Sequence, residues 1–310
     1  MKIFLVSSAG DSLGLAEKIT SEGHQVSMYI RDGHKGPNEN ITITKHPSAD
    51  MVNADLIIVE DRRSGKFVDK AREMGRRVIG GGSGADRLNS DVKFNRGVLE
   101  GCGLKLAESG TKGLMIEIGG WFNGIEYLRP AFIGFPKYRL GAGDIGPITK
   151  GSGLVGFYKM RSRLYHEVLR TTETFIKTIN YKGFVDIKGY VNNGKFQAIA
   201  MEAGLMYPTI HVVSELHTSI TKFLVKIADG IAKVAAVQPG KIGVGVGWFE
   251  TIHIPRPEML CACGGTIEEA KIKVYKKINN ANLDPIGIYR IDIGDDFTQN
   301  LRTLSSQEWL

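Results

Sequence analysis

The sequence predicts a protein of mixed α/β and α+β class, with a doubly wound N-terminal domain, a middle domain and a small C-terminal α+β unit. In residues 1–85, short apolar runs alternate with helical patterns, as they do in parallel sheets with helices on both faces. Further along, two strand-like runs flank Asn193-Gly194, which is typical of a tight antiparallel hairpin. We therefore expect a parallel sheet first, followed by antiparallel strands with helices.

The composition is that of a globular protein without a membrane partner. Of the 310 residues, 42% are hydrophobic and 24% are charged, and 40 basic against 33 acidic side chains give a formal net charge of +7. No apolar run approaches the ~18 residues of a membrane helix, and the apolar run at the N-terminus is too short for a signal peptide. We therefore expect a cytoplasmic protein. Its basic residues are scattered, so nucleic-acid binding has no support in the sequence.

The N-terminal domain is predicted from its apolar runs in chain order. Its strands are expected at Lys2–Ser7, Gln25–Ile30, 54–61 and 76–81, and its helices at Leu13–Ser21 and 66–74. The third strand contains the continuous apolar run Leu56–Val59, which indicates a strand buried on both faces. Ligands of such sheets bind beyond the carboxyl ends of the strands, which directs attention to residues 7–12 and 60–65.

The first of these two turns carries Gly10 and Asp11, which we predict to bind substrate. Gly10 and Gly14 do not complete the G-x-G-x-x-G pattern of a dinucleotide site. A tight turn between strand and helix explains these glycines as well as a ligand loop does, and the sequence leaves both explanations open.

The middle and C-terminal domains are separated by a turn-forming sequence. We place the middle domain at 86–237 and the C-terminal unit at 238–310, because a Gln-Pro-Gly sequence at 238–240 follows a helical pattern. Besides the Asn-Gly hairpin, helices are expected at 86–100, 161–179, 214–234 and 266–279, and strands at 114–118, 125–135, 241–254 and 286–294.

A glycine-rich stretch, YRLGAGDIGPITKGSG at 138–153, is the strongest candidate for a ligand loop. Its five glycines allow the backbone to approach a ligand closely. It is not a Walker A loop, because Lys150 follows Thr149 and the motif requires the opposite order. Arg139 and Lys150 supply positive charge, while Asp144 and Thr149 supply side-chain hydrogen bonds. A plain connector is the alternative.

Two acids lie on opposite arms of the predicted hairpin, each within apolar sequence. Asp186 and Glu202 would repel each other at corresponding heights unless a cation, a proton or a basic residue lies between them. Carboxylate pairs of this kind suit magnesium. The alternative is that either acid faces solvent or pairs with a lysine. His211 and His217 lack the i, i+4 spacing of a zinc site, and we expect them to be solvated.

In the order of its motifs the sequence resembles the ATP-grasp ligases, and among them the phosphoribosylamine–glycine ligases. The stretches that carry the resemblance are EDRRSGKFVDKAREMGRRVIGGGSGADRLNSD, IEIGGWFNGIEYL, YRLGAGDIGPITKGSG and VDIKGYVNNGKFQAIAMEAG. They cover most of residues 54–204, and D-x-G-P-x-T-x-G within the third is the most specific. The resemblance implies that the middle domain is a reduced ATP-grasp core.

The resemblance also implies a chemistry and a set of site residues. In that chemistry ATP phosphorylates a carboxylate, an amine attacks, and magnesium bridges the phosphates to an acid pair. ATP and magnesium are therefore the expected cofactors, and Asp186 and Glu202 resemble the metal-binding acids. The other expected site residues are Arg139 and Thr149 for catalysis, Asp144, Gly146, Pro147 and Lys150 for a small anionic or sugar-phosphate substrate, and Lys93 and Glu117 for the cofactor.

Three features depart from the family pattern. Residues 101–113 stand where the family has a lysine-bearing lid that clamps ATP, and they are too few to form its strands. The cation expected in the preceding helix appears as Val92, with Lys93 beside it. The asparagine expected two residues after Glu202 appears as Gly204.

These departures leave three functions open. The first is a minimal ATP-dependent carboxylate–amine ligase. The second is a protein that holds a nucleotide-like or sugar-phosphate ligand on a ligase scaffold without turnover. The third is an interaction module in which a protein partner completes the site.

Overall fold

A computed structural model describes residues 1–32, 40–249, 258–281 and 287–310. In this part of the chain the strands form two sheets, one of five strands and one of eight. The helices of the described residues are α1 Leu13–Ser21, α2 Pro47–Asn53, α3 Gly65–Glu73, α4 Ser83–Ser90, α5 Val92–Gly101, α6 Glu173–Thr178, α7 Thr209–Glu215, α8 Ile220–Ala228, α9 Ile267–Asn280 and α10 Phe297–Ser306. None of them combines the length and the apolar character of a membrane span.

The five-stranded sheet is parallel throughout and confirms the doubly wound N-terminal domain. Alternate residues of its central strand enter two different cores, Leu5 together with Leu15 of α1 and Phe4 together with Val68 of α3. The sheet is therefore covered on both faces, as the apolar run Leu56–Val59 indicated. The sequence did not predict β3 or α2, which are short. The strands are β1 Lys2–Ser7, β2 Gln25–Ile30, β3 Ile41–Ile43, β4 Leu56–Val59 and β5 Val78–Ile79, in the order β3-β2-β1-β4-β5.

The eight-stranded sheet is antiparallel and takes in both the middle and the C-terminal segments. Its strands are β6 Leu114–Phe122, β7 Ala131–Gly141, β8 Ile145–Lys159, β9 Gly183–Asn192, β10 Lys195–Ala203, β11 Ile242–Phe249, β12 Glu258–Gly264 and β13 Ile288–Tyr289. The order is β10-β9-β6-β7-β8-β11-β12, and β13 pairs with β11. Because β11 pairs with β8, the C-terminal strands extend the sheet of the middle segment. The expected strands at 241–254 and 286–294 lie partly outside the described residues.

Two hairpins of this sheet carry most of the predicted site. The β9–β10 hairpin confirms the Asn-Gly prediction, since Asn193 and Gly194 both have positive φ, at 49° and 68°, as a type I′ turn requires. The glycine-rich stretch at 138–153 is not a loop, as we had expected, but the outer half of the β7–β8 hairpin. Its turn also uses two positive φ values, 70° at Gly143 and 57° at Asp144.

Close packing explains why glycine occupies some positions of the 138–153 stretch, and the sequence alone did not show this packing. A Cβ atom on Gly153 would lie 2.3 Å from Cδ1 of Ile293, and one on Gly151 would lie 3.0 Å from Cγ of Pro208. A methyl group at either position would force Ile293 or Pro208 to shift, so glycine is favoured where other segments cross the hairpin. Part of the glycine density is therefore explained by packing alone.

Three predicted long helices are divided in the structure. The helix expected at 86–100 is broken at Asp91, whose side chain accepts a hydrogen bond from the backbone N–H of Phe94 and so caps α5. The helix expected at 161–179 consists of a π-helical turn at Tyr165–Leu169, a 3₁₀ turn at Arg170–Thr172 and α6. The region at 214–234 holds the end of α7 and then α8, and has no single long helix.

The expected absence of a lid agrees with a short connection between α5 and β6. Residues 102–113 run beside the edge strand β10 and form one parallel bridge with it, between Leu106 and Ala198. The backbone N–H of Ala107 donates to the oxygen of Ala198 at 2.8 Å, and the N–H of Ala198 donates to the oxygen of Lys105 at 2.7 Å. This segment therefore covers a sheet edge and forms no subdomain.

Candidate functional site

A polar cleft of about 400 Å³ lies where the carboxyl edge of the parallel sheet faces the large sheet. It is the place that the strand order of the N-terminal domain predicted for a ligand. Its lining residues from that edge are Ser8, Asp11, Arg31, Asp32, Glu60, Asp61, Arg62 and Arg63, and those from the rest of the chain are Tyr138, Lys150, Lys188, Glu202, Met206 and Tyr207.

A second depression, of about 620 Å³, lies between β12 and α9 and includes Leu260, Cys263 and Lys277 in its lining. None of the predicted site residues lines it. The polar cleft is therefore the candidate site, although it is the smaller of the two.

Hydrogen bonds and one ion pair hold the parallel-sheet side of the cleft. Ser7 at the end of β1 donates from its hydroxyl to Oε2 of Glu60 at 2.6 Å, and the backbone N–H of Gly10 donates to that hydroxyl at 3.0 Å. Arg31 binds Asp61 through both terminal nitrogens, one of them at 2.6 Å. The predicted residue Gly10 thus shapes the turn, with a φ of 88°, and Asp11 lines the cleft.

On the large-sheet side, three carboxylates and one ammonium group project from the same face. Asp186 of β9 lies directly opposite Glu202 of β10, and Lys188 of β9 lies directly opposite Glu117 of β6. Because side chains alternate along a strand, Asp186 and Lys188 share a face, and their cross-strand partners share it too. The structure therefore brings together the predicted acids Asp186 and Glu202 and the predicted cofactor residue Glu117.

This acid cluster is largely shielded from water. Glu117 is fully buried and Asp186 is 1% exposed. Within the described part of the chain, Oε2 of Glu117 and Oδ1 of Asp186 have no hydrogen-bond partner. The other oxygen of Glu117 accepts a hydrogen bond from the hydroxyl of Thr209 at 2.6 Å. Among the described residues, two buried carboxylate oxygens of the cluster are therefore left without a hydrogen-bond partner.

Burial and the neighbouring charges move the pKa values of the cluster in different directions. Burial, and then the other carboxylates, raise the pKa of Asp186 and of Glu117, against the opposing effect of Lys188. Burial would also raise the pKa of Glu202, but Lys188 and Arg62 outweigh it and hold that pKa below its usual range. Glu202 is thus the acid of the cluster that carries its charge most readily.

Glu202 is held by two protein cations. The ammonium group of Lys188 donates to Oε2 at 2.6 Å, and the guanidinium group of Arg62 donates to Oε1 at 3.0 Å. A carboxylate paired with a lysine was the alternative to the metal site in the sequence analysis, and Lys188 provides that pairing. Among the described residues, no group of three or more His, Cys, Asp or Glu side chains is arranged to hold a metal. The arrangement as it stands therefore does not fit a divalent ion, and the metal assignment of Asp186 and Glu202 stays a prediction.

The predicted residues of the glycine-rich stretch are mostly bound within their own hairpin. Arg139 donates to the carbonyl oxygen of Gly146 at 2.7 Å, and the hydroxyl of Thr149 donates to the carbonyl oxygen of Tyr138 at 2.7 Å. Lys150 lines the cleft. The predicted residues of this stretch that do not line the cleft are Arg139, Asp144, Gly146, Pro147 and Thr149.

Asp144 and Lys93 lie away from the cleft. Asp144, at the tip of the β7–β8 hairpin, pairs with Arg290 at 2.5 Å and with Lys137 at 3.3 Å. Lys93 is exposed on α5. The binding roles assigned to both residues stay predictions, and the structure supplies a structural role for Asp144.

Sequence reasoning predicted Lys150 but missed three other cations of the cleft, Lys188, Arg62 and Arg63. Lys188 follows Asp186 by two positions on a strand, so the alternation of side chains alone places it on the same face. Arg62 and Arg63 lie within the turn at 60–65 that was expected to face a ligand. Both signals were present in the sequence, but neither indicates which acid a cation meets.

The expectation that His211 and His217 are solvated was wrong. Nε2 of His211 donates to the backbone oxygen of Asp11 at 2.8 Å, which ties α7 to the first turn of the cleft. Nε2 of His217 accepts a hydrogen bond from the indole N–H of Trp121 at 3.0 Å. Burial lowers the pKa of His217 to about 3, so this ring is neutral and belongs to the core.

The overall fold agrees with the resemblance seen in the sequence. No protein-family model and no curated protein matches the chain by sequence. A phosphoribosylamine–glycine ligase from Thermotoga maritima matches with a TM-score of 0.72 at 15% identity, over 95% of this chain and 100% of that one. A biotin carboxylase–beta-gamma-ATP complex from Campylobacter jejuni matches with a TM-score of 0.60 at 11% identity, over 93% and 92% of the two chains.

A third structure, N5-carboxyaminoimidazole ribonucleotide synthetase from Thermotoga maritima, has a TM-score of 0.57 at 9% identity, over 90% of this chain and 98% of that one. The chain thus has the fold of the ATP-grasp ligases, and it resembles phosphoribosylamine–glycine ligase along nearly its whole length. Identities this low establish the fold alone.

Proposed function

We propose that this protein is an ATP-dependent ligase that joins a carboxylate to an amine, as a phosphoribosylamine–glycine ligase does. The observation that carries the proposal is the polar cleft, in which the cations Arg62, Lys150 and Lys188 and Glu202 of the acid cluster meet the carboxyl edge of a parallel sheet. The similarity to phosphoribosylamine–glycine ligase over 95% of the chain supports the same proposal.

In the proposed reaction, a carboxylate oxygen of the first substrate takes the terminal phosphoryl group of ATP, and ADP leaves. The amine nitrogen of the second substrate then attacks the acyl carbon, phosphate leaves, and the amine loses a proton to solvent. Catalysis of this kind depends mainly on positioning and on charge stabilisation. Lys188 and Arg62 supply fixed positive charge at the cleft wall, and Lys150 approaches from the β7–β8 hairpin.

Magnesium, when bound with ATP, would neutralise charge on the phosphates. The acid cluster does not fit such an ion, because both oxygens of Glu202 already accept hydrogen bonds from Lys188 and Arg62. The proposal therefore assigns no step to a metal held by these acids, and magnesium enters the tests as an additive.

The test begins with calorimetric titration of the protein with ATP, with and without magnesium. ADP release is then measured across pairs of small carboxylates and small or sugar-phosphate amines. We expect ATP binding and ADP release that depends on both partners. The absence of binding at millimolar nucleotide would sink the ligase proposal.

One variant tests the acid cluster in the same assay. Glu202→Gln removes the negative charge that pairs with Lys188 and Arg62 at the cleft wall. Because the two cations then lose their fixed positions, we expect turnover to be abolished while the fold is retained. Glu100→Gln changes an exposed acid on α5 in the same way and should leave ADP release unchanged. Full activity of Glu202→Gln would remove this residue from the mechanism.

A second candidate function is a binding protein that holds a nucleotide-like or sugar-phosphate ligand without turnover. The short connection at 102–113 and the protein cations that engage Glu202 favour it. Under this proposal ATP or a sugar phosphate binds in the cleft, magnesium does not change the affinity, and no ADP is released with any substrate pair.

A further inference from the structure

Lys188 lies in a position that sets it apart from the other cations of the cleft. It stands two residues after Asp186 on β9, opposite Glu117 on β6, and its ammonium group is 2.6 Å from Oε2 of Glu202 on β10. The three carboxylates therefore come from three adjacent strands, and Lys188 projects from the same face of the sheet as they do. Its side chain is 13% exposed, so it is mostly shielded from water.

The charges explain why an ammonium group is stable there. Burial opposes the charge on Lys188, but the carboxylates of Glu202 and Asp186 overcome it and hold the lysine pKa well above its ordinary value. Asp186 and Glu117 each keep one buried oxygen without a hydrogen-bond partner in the described part of the chain. Three acids that converge in this way need a compensating cation or bound protons.

A divalent ion among these carboxylates would compete with the lysine for Glu202 and would be repelled by its charge. Magnesium binds carboxylate oxygens at about 2.0–2.1 Å, and the ammonium group of Lys188 already lies in hydrogen-bond contact with Oε2 of Glu202. The guanidinium group of Arg62 takes the other oxygen. A metal bound to Glu202 would have to displace one of the two cations and would repel the one that stays.

We infer that Lys188 is a built-in cation that takes the place of a divalent metal among Glu117, Asp186 and Glu202. The acid cluster then functions without a metal ion. An anionic ligand of the cleft contacts the ammonium group of Lys188 at the position that a metal ion would otherwise occupy. This inference goes beyond the proposed function and holds for both of its candidate forms. It also makes a specific prediction: removal of the lysine charge should create a metal site.

Manganese is the probe, because its paramagnetism allows the free ion to be measured directly. The full chain and its variants are titrated with Mn²⁺ without nucleotide, and the Tm is recorded with and without the ion. We expect the wild-type chain to show no Mn²⁺ site in the cluster at about millimolar ion, and Lys188→Gln to gain a site with a Kd at least about tenfold below that concentration. Mn²⁺ should also raise the Tm of Lys188→Gln and leave that of the wild type unchanged.

Two further variants make the result specific. Lys188→Arg keeps the charge and should behave like the wild type, whereas Lys188→Gln combined with Glu202→Gln should lose the new site. A wild-type Mn²⁺ site that disappears in Glu202→Gln would overturn the inference, and so would a folded Lys188→Gln that gains no affinity.

Should Lys188→Gln fail to fold, the wild-type and Glu202→Gln titrations still decide the question. A wild-type site that is lost in Glu202→Gln overturns the inference, and the absence of a site agrees with it. Because no step of the experiment measures ADP release, an inactive protein gives the same answer. Failure of the ligase proposal is thus separable from failure of this inference.

Discussion

The two hairpins of the large sheet use the same kind of ion pair in opposite ways. At the β7–β8 hairpin, Asp144 is 52% exposed and its partner Arg290 is 1% exposed. At the β9–β10 hairpin, Glu202 is 17% exposed and its partner Arg62 is 47% exposed. In each case the acid comes from the hairpin and the arginine from a distant part of the chain. The two ion pairs differ in which charged group is buried: the arginine at the β7–β8 hairpin and the glutamate at the β9–β10 hairpin.

This difference explains how much each hairpin depends on a single partner. The buried guanidinium of Arg290 also binds Asp292 at 2.6 Å, so the loss of Asp144 leaves it with a second carboxylate. Glu202 has Lys188 and Arg62, but the Arg62 side chain is about half exposed, and two further acids, Glu117 and Asp186, lie beside Glu202. Because a charge without a partner is costly mainly where it is buried, the β9–β10 hairpin should be the more sensitive of the two.

The largest expected effect is at Lys188. Lys188→Ala leaves three converging carboxylates with only the exposed Arg62, so we expect a loss of about 3 kcal/mol in the free energy of unfolding. Urea denaturation measures it. Lys195→Ala, which removes an exposed lysine at the start of β10 of the same hairpin, should change stability by less than about 0.5 kcal/mol. Equal effects of the two substitutions would contradict the assigned role of Lys188.

A smaller effect is expected at the other hairpin. Asp144→Ala should cost about 1 kcal/mol, because Asp292 still holds Arg290. Asp292→Ala should cost a similar amount, and the double variant should cost more than the sum, since it leaves a buried guanidinium without either carboxylate. The same denaturation measurements test this. Simple additivity of the two substitutions would show that Arg290 does not depend on the pair. Ligand binding should be unchanged in Asp144→Ala if the residue only anchors the hairpin.

The backbone of the two turns should respond alike. Gly143 and Gly194 have φ values of 70° and 68°, and a Cβ atom at either would meet no other atom within 4 Å. Gly143→Ala and Gly194→Ala should therefore each cost about 1 kcal/mol through backbone strain alone. Gly97→Ala, in the interior of α5 with the same open space, should instead stabilise by about 0.5–1 kcal/mol. If the two substitutions lowered the free energy of unfolding by different amounts, the added methyl group would have to make a side-chain contact at one of the turns.

The smallest expected difference appears in the acid limb of the stability curve. Burial alone would raise the pKa of Glu202 and of Asp144. Lys188 and Arg62 outweigh burial at Glu202, and Arg290 and Lys137 outweigh it at Asp144, so that both pKa values lie below their ordinary range. A carboxyl whose pKa is depressed by folding contributes stability above its unfolded pKa and loses it as the pH falls through the folded value. Wild-type stability should therefore decline as the pH falls below about 4.5.

Two variants test how much each hairpin contributes to this loss of stability at acid pH. Glu202→Gln should flatten the curve from pH 4.5 downward, whereas Asp144→Asn should flatten it only below 3.8 and by less, because the aspartate is half solvated. Urea denaturation between pH 3 and 6 measures both changes. A larger flattening in Asp144→Asn would reverse the ranking of the two hairpins.

Most of the parallel sheet and the β9–β10 hairpin were predictable from local sequence. The bounds of β1, α1 and β2 match the expected ones, because the apolar runs end at small or charged turn residues. The Asn-Gly turn was predictable because its two positive φ values restrict the residue types. The predicted long helices were wrong where a polar residue such as Asp91 caps a new helix instead of continuing the old one.

The candidate site was predictable only in outline. Asp186 and Glu202 were correctly placed on opposite arms of the hairpin, but the turn alone would set Asp186 opposite Met201. A β-bulge between Ala198 and Ala200 shifts the register and brings Glu202 opposite Asp186, and the sequence left this register open. The glycine-rich stretch was misjudged because its glycines accommodate Ile293 and Pro208, and neither contact leaves a local signal. The two histidines were misjudged for the same reason, since their partners lie on distant elements.

The sequence by itself determined the class of the fold, the covered parallel sheet, the acid-bearing hairpin and the shortness of the connection between α5 and β6. These follow from alternation, turn chemistry and chain length, which act over a few neighbouring residues. Only the tertiary structure decided that Lys188 and Arg62 neutralise Glu202 and that the glycine-rich stretch is a hairpin. The energy of a charge depends on burial and on partners from other strands, and both exist only once the sheets have packed together.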